Sequence, residues 1–324
     1  MAKIGIVSLM PHFLKNIVPG LKKAGHEIKE YVHAPENKFK DGWNIKEVCD
    51  WADLLFCEFC QHPMDLVTYL VDKPIIARLW RCEIYNTGYI NRINWEKVDH
   101  LFIATENMHG KFQALRKNKL KPKKVTVFEG PSIDLDKFSF VKRERSHLIK
   151  MAIVGNVIPR KRVFNAVQML VDLPENVTLT IAGRLQDIEY AEQIKDFAVS
   201  AKVSDRIHML NYLDPKAMPE FMQRQDIILG MSTEETAHYA IAEGMATGCL
   251  PFMSYWKGCE KVYPKGSYFY SMKDMNAKIN SWVKNSNDIE FWNKRSKEQR
   301  DWSEKHFDKK KEVDSIVTAI EGLL

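Results

Sequence analysis

Two glutamates in the second half of the chain have a spacing that suggests chemistry. Glu235 and Glu243 are separated by seven residues. The stretch between them passes from a polar loop, Ser232-Thr233-Glu234-Glu235-Thr236-Ala237-His238, into the helix-forming Tyr239-Ala240-Ile241-Ala242. An apolar run ends just before, at Gly230. Strand, loop and helix in that order present unpaired N–H groups at the helix start, where phosphate oxygens bind. Glu243, about one turn in, reaches the same ligand, and a carboxylate suits a pair of sugar hydroxyls. Periodicity alone equally allows a solvent-facing glutamate on an ordinary βα unit.

A second group lies upstream, in Gly155-Asn156-Val157-Ile158-Pro159-Arg160-Lys161-Arg162, at a strand-to-helix turn. A glycine beside cationic side chains suits a diphosphate leaving group, whose developing charge needs stabilisation. A solvated surface turn is the plain alternative. Arg184 follows another strand end, Ala182-Gly183. In the first half, Arg78-Leu79-Trp80-Arg81-Cys82-Glu83 concentrates charge after a strand, and His12 follows the first strand in Met10-Pro11-His12. These are acceptor-side candidates, with a structural role equally open for His12 and Glu83.

The elements that must position these residues alternate along the chain. Strands are expected at 3–9, 27–32, 53–56, 74–79, 98–105 and 125–128, with helices at 16–24 and 108–116. The alternation resumes with strands at 147–154, 178–181, 207–209, 226–230 and 250–253 and helices at 163–170, 190–200 and 240–246. Residues 215–223 have helical spacing with Pro219 inside, and 275–324 are helical in character. Strands separated by helices of this length imply βαβ units and mainly parallel sheets. A linker-like piece near 138–147 divides the chain into domains at 1–140 and 141–299, and the last helix, about 300–324, is expected to pack back on the first. Doubly wound sheets bind ligands outside the carboxyl ends of their strands, so two in tandem place the expected site in an interdomain cleft.

The sequence has 324 residues, 45% of them hydrophobic, enough for two cores. No run approaches the roughly 18 apolar residues of a membrane span. The N-terminus enters a strand-like run without the features of a secretory leader, which leads to the expectation of a cytoplasmic protein. The six cysteines, including Cys57-Glu58-Phe59-Cys60, read as buried or strand-end thiols, since no second pair accompanies the C-x-x-C spacing. The net charge of +6 is partly local: Arg116, Lys117, Lys119, Lys121, Lys123 and Lys124 fall within nine residues. Such a cluster attracts DNA or an anionic membrane surface, which would make the protein peripheral to either; a solvated connector is the alternative.

The Glu235–Glu243 stretch, followed by Gly244-Met245-Ala246-Thr247-Gly248, resembles the signature of retaining glycosyltransferases of family 4, which have the GT-B fold. In that family two glutamates seven residues apart precede Ala-Met-Ala-x-Gly, so only the first Ala differs. The resemblance implies two Rossmann-like domains, each with a mainly parallel sheet, and a nucleotide-sugar donor, most commonly UDP-linked. It implies no cofactor and no metal. Glu235 would face the donor sugar and Glu243 the ribose. Lys161 matches the family lysine that clamps the diphosphate; Asn156 stands where the family has arginine, leaving Arg160 or Arg162 to supply that charge. Gly155, Arg184, His238 and Tyr239 complete the donor-side set, although Thr236-Ala237-His238 replaces the family's Gly-Phe-Gly. Residues 131–138 are similar to the family hinge, with Asp134 and Phe138 matching. Trp80 stands near the position of a family histidine.

The reading is therefore a hexosyltransferase acting on a hydroxyl of a saccharide, lipid-linked or small-molecule acceptor. Two rivals remain beside it. One is a glycosyltransferase of modified bases in DNA. The other is a catalytically degenerate nucleotide-sugar-binding or assembly protein, which the Trp80 and Asn156 departures keep open.

Overall fold

The computed structural model describes residues 1–9, 14–32, 41–85, 88–116, 120–144 and 147–324, with the side chains of 41–44 excepted. His12, Lys117 and Lys119 lie outside the described residues. Two units are present: residues 1–130 together with 309–324, and residues 131–308.

The first unit contains strands β1 (Lys3–Ser8), β2 (Glu27–Val32), β3 (Leu54–Glu58), β4 (Ile75–Leu79), β5 (His100–Ile103) and β6 (Lys124–Val127). Helices α1 (Ile17–Lys23), α2 (Asp41–Trp51), α3 (Met64–Leu70), α4 (Arg81–Tyr85) and α5 (Glu106–Leu115) connect them, and α12 (Lys309–Glu321) joins from the end of the chain. The sheet order is β2-β1-β3-β4-β5-β6, with every pair parallel. β3 and β4 are buried along their whole length, as expected for parallel strands covered on both faces. Ile316 and Ile320 of α12 share a core with Ile4, Ile6, Leu14 and Ile17. Gly20 lets α1 and α12 approach, since a Cβ there would meet Val313.

The second unit contains β7 (Ile149–Val154), β8 (Val177–Ala182), β9 (Ile207–Asn211), β10 (Ile227–Gly230), β11 (Leu250–Ser254) and β12 (Tyr268–Phe269). Its helices are α6 (Val163–Met169), α7 (Ile188–Ser200), α8 (Met218–Gln223), α9 (Tyr239–Thr247), α10 (Met272–Val283) and α11 (Ile289–His306). Pro219 falls in the first turn of α8, where its missing N–H costs nothing. The order β12-β11-β10-β7-β8-β9 is again wholly parallel. From β7 the chain winds outward through β8 to β9; from β10 it winds the other way. The boundary between β7 and β10 is thus a topological switch point, where doubly wound sheets open a crevice.

The sequence reading divides the chain at 140, but the first unit ends at Gly130. Residues 131–140 pack with the second unit because Ile133, Leu135 and Phe138 enter the core beside Ile228 and Ile241. Arg300 secures them, donating to the carbonyls of Phe138 (2.9 Å) and Ala246 (3.0 Å). The expected last helix at 300–324 is two helices: α11 belongs to the second unit, and the chain rejoins the first only at Lys309.

Candidate functional site

At the switch point, β7 ends at Gly155, whose φ of 139° is open to glycine alone. A short 3-10 turn, Pro159–Lys161, follows, and Arg162 takes φ 51° before α6 begins. The stem of Lys161 lies over Gly155, where an added Cβ would stand 3.4 Å from Lys161 Cε. The neighbouring strand end is equally constrained. A Cβ on Gly183 would fall 1.9 Å from the Gly155 carbonyl oxygen, so the β7 and β8 turns meet backbone to backbone.

The other side of the switch is the loop from β10 to α9. Lys161 Nζ donates to Glu235 Oε1 at 2.6 Å, and an Arg160 guanidinium nitrogen reaches the same oxygen at 3.3 Å. Arg160 also donates to the Glu234 carbonyl at 3.2 Å. Glu235 is 8% exposed. Burial pushes its carboxyl up, but the pull of His238 and then Lys161 outweighs this and brings it to about 2. His238 is moved to about 4, by burial first and Lys161 second, so it is neutral near pH 7. The lasting counter-charges of Glu235 at that pH are therefore Lys161 and Arg160.

His238 occupies the N-cap of α9 with φ 23°. Its ring rests on Gly230, where a Cβ would meet Nε2 at 2.8 Å, and that nitrogen is buried with no partner among the described residues. Tyr263, fully buried, holds the cap by donating toward the carbonyls of Ala237 (3.0 Å) and His238 (3.1 Å). The chain 25 residues downstream thus shapes the loop, with no local sequence signal to announce it. Gly244 replaces the alanine of the resembled signature because a Cβ there would press Ile228 at 2.8 Å.

Glu243 lies one turn into α9. Burial raises its carboxyl to about 7, with Lys137 opposing. Asn156 donates to Gln186 at 2.8 Å, and Arg184 stacks over the Tyr212 ring at 4.7 Å. Gly155, Arg160, Lys161, Glu235 and His238 are thus gathered directly. Glu243 and Tyr239 share their helix, Asn156 and Arg184 engage separate partners, and Arg162 is exposed.

The first-unit candidates form a different constellation. Arg78 donates to both Glu58 oxygens (3.1 and 2.9 Å) and to Glu312 of α12 (2.7 Å). Trp80 Nε1 donates to Glu58 at 2.6 Å, while Arg78 covers the Trp80 ring at 4.8 Å. Glu83 is fully buried and accepts from the backbone N–H groups of Trp80 (2.9 Å) and Cys60 (3.0 Å). Burial pushes its carboxyl to about 8. Arg81 stacks over Tyr85 at 4.4 Å. The sequence reading missed Glu58, although a glutamate closing an otherwise apolar strand was a usable signal. Cys57 and Cys60 are buried, and burial pushes both thiols up, which makes them poor nucleophiles. In the basic cluster, Arg116 donates to the Leu120 carbonyl and Lys123 pairs with Asp99 at 2.7 Å.

Among the described residues, no group of three or more His, Cys, Asp and Glu is arranged to hold a metal ion. No described helix is long and apolar enough to cross a membrane.

The arrangement holds two cations on one carboxylate of the loop that leads into α9, with a second carboxylate one turn into that helix. Comparison with known proteins bears on the family and the fold. The family model described as glycosyl transferases group 1 matches residues 134–302. No curated protein matches significantly. Among solved structures, Anabaena HepE in complex with UDP and glucose is 12% identical with a TM-score of 0.77, covering 100% of both chains. Sucrose-phosphate synthase from Thermosynechococcus elongatus is 11% identical with a TM-score of 0.78, covering 100% of this chain and 99% of that one. The lipopolysaccharide outer core galactosyltransferase WaaB is 12% identical with a TM-score of 0.70, covering 99% and 100%. At these identities the likeness is one of fold, and the fold is GT-B.

Proposed function

Because this chain belongs to the glycosyl transferases group 1 family and is thereby a glycosyltransferase, we propose that it moves a hexose from a UDP-sugar to an acceptor hydroxyl with retention of anomeric configuration. The observation that carries this reading is the convergence of Lys161 and Arg160 on the loop that leads into the α9 N-terminus, with Glu243 on that helix. The two cations and the helix N–H groups would take the donor's diphosphate. Glu243 would accept from the ribose hydroxyls and Glu235 would face the sugar. The complex of HepE with UDP and glucose supports UDP as the donor's nucleotide.

In the transfer, the acceptor oxygen bonds to the anomeric carbon as the bond from that carbon to the diphosphate oxygen breaks. The acceptor proton passes to the departing phosphate oxygen. Lys161 and Arg160 stabilise the charge that grows on the diphosphate, an effect typically worth several kcal/mol where donors are preorganised. A saccharide hydroxyl is the favoured acceptor class, in keeping with WaaB, a lipopolysaccharide galactosyltransferase. Arg116 and Lys123 of the basic cluster already have partners within the first unit, so the reading does not depend on DNA or a membrane surface.

A thermal-shift screen with UDP-, GDP-, ADP- and CMP-sugars identifies the donor, since a ligand that binds the folded state raises its stability. Proton NMR of the transfer product then reads the anomer. Stabilisation by the UDP-sugar and a product with the donor's configuration are expected. An inverted product would overturn retention, and stabilisation only by another nucleotide would overturn UDP.

A further inference from the structure

We propose that in the donor-free enzyme Glu235 occupies Lys161 and Arg160 as an internal substitute for the donor's diphosphate, and that the incoming diphosphate displaces it. The inference rests on the donor reading above and concerns the regulation of that same site.

Lys161 and Arg160 converge on a single oxygen, Glu235 Oε1, at 2.6 and 3.3 Å. Two cations on one anionic oxygen is the arrangement a phosphate oxygen takes between a lysine and an arginine. The pair is sheltered: the Glu235 side chain is 10% exposed and that of Lys161 19%. Solvent therefore screens it less than an ordinary surface ion pair. The Lys161 stem is laid over Gly155, which aims its ammonium toward Glu235. His238, neutral near pH 7, offers Glu235 no cationic replacement.

A diphosphate that seats on these cations and on the α9 N-terminus meets Glu235 as a like charge on shared partners. The exchange resolves that conflict, because the diphosphate takes the cations and the Glu235 carboxylate turns to the hydroxyls of the sugar. Binding of the bare diphosphate group is thereby weakened by the ion pair it must open. A donor with its sugar recovers part of that loss through Glu235. The site thus discriminates for a complete nucleotide sugar over the spent nucleotide, which favours product release.

The test is calorimetric titration of inorganic pyrophosphate and of UDP into wild type, Glu235→Gln and Glu235→Asp. Folding of each variant is checked by thermal unfolding. Titrations are run at low salt and at roughly 1 M, where the Debye length is about 3 Å. The proposal expects Glu235→Gln to bind both probes about tenfold more tightly than wild type, with the ratio kept at high salt. Glu235→Asp keeps the charge but is one methylene short of the contact, and it too should bind more tightly than wild type. Should the Gln variant not fold, the Asp variant carries the test. Equal or weaker binding by the variants overturns the proposal and leaves the donor reading standing. A gain that vanishes at high salt, or is absent in Glu235→Asp, reduces the effect to charge repulsion and also overturns it. Folded wild type and variants that bind neither pyrophosphate nor any nucleoside diphosphate would remove the donor reading, and the exchange with it.

Discussion

Glu243 illustrates how much a single residue's surroundings decide. Burial raises its carboxyl from 4.5 to about 7, with only Lys137 opposing. The folded chain therefore holds more protons than the unfolded chain between those values. Its contribution to stability is full below about pH 4.5 and is lost as pH rises through 7. Ribose hydroxyls donating to the anion would lower the raised value, since hydrogen bonds to the charged form favour it. UDP binding near pH 7 should then release a fraction of a proton, seen as a dependence of the binding heat on the buffer's ionisation heat. Glu243→Gln should abolish that part of the release. An unchanged proton count in the variant would place Glu243 away from the nucleotide. Glu235 behaves oppositely although it lies on the loop that leads into the same helix, because it has cations within hydrogen-bond reach. The sequence reading expects both glutamates and Lys161 in one site, because the turns that carry them have local patterns. It did not reveal the ion pair, since Lys161 and Glu235 are 74 residues apart and meet only once β7 and β10 are neighbours.

At the scale of elements, the site is a consequence of strand ends brought close together. The β7 and β8 turns approach so closely that Gly183 has no room for a side chain. Gly183→Ala should cost roughly 1–3 kcal/mol, the usual range for overpacking, and displace the turn that carries Lys161. Urea unfolding and the Kd for UDP would both move. Loss of stability with unchanged UDP affinity would show that the turn tolerates the shift. The α9 cap has a similar logic, in which the ring of His238 requires glycine at 230, and Tyr263 fixes the carbonyls. The strands and helices around the site were readable from alternation and periodicity, including the stop of α9 at Gly248 with φ 96°. The two-residue β12 and five-residue α4 were not, because pieces so short lack a full period of any pattern.

The molecule as a whole returns its last helix to the first unit, and a buried charge network receives it. Glu312 joins Arg78, which is 4% exposed and also bound to Glu58. Glu312→Ala should destabilise the first unit by about 1–3 kcal/mol, because a buried charge loses one partner. Hydrogen exchange should rise in 75–79 and 309–321 and stay unchanged in 227–230. Unchanged exchange throughout would mean that Ile316 and Ile320 hold α12 unaided. This network was invisible in the sequence, where Arg78 and Glu312 are 234 residues apart. Arg78 and Trp80 belong to the network through Glu58, and Glu83 accepts from the Trp80 backbone beside it. Their hydrogen bonds position the carboxyl ends of β3 and β4, the strand ends where the sequence reading expects contact with an acceptor.

The central claim is that Lys161, beside the α9 N-terminus, holds the diphosphate of a nucleotide-sugar donor. Its most direct test is the calorimetric Kd of UDP for wild type and for Lys161→Ala, with far-UV circular dichroism to confirm the fold. The account predicts that UDP binds wild type and that the variant weakens it by about tenfold or more, as loss of a charge-assisted bond requires. A folded variant that binds UDP as tightly as wild type would contradict it.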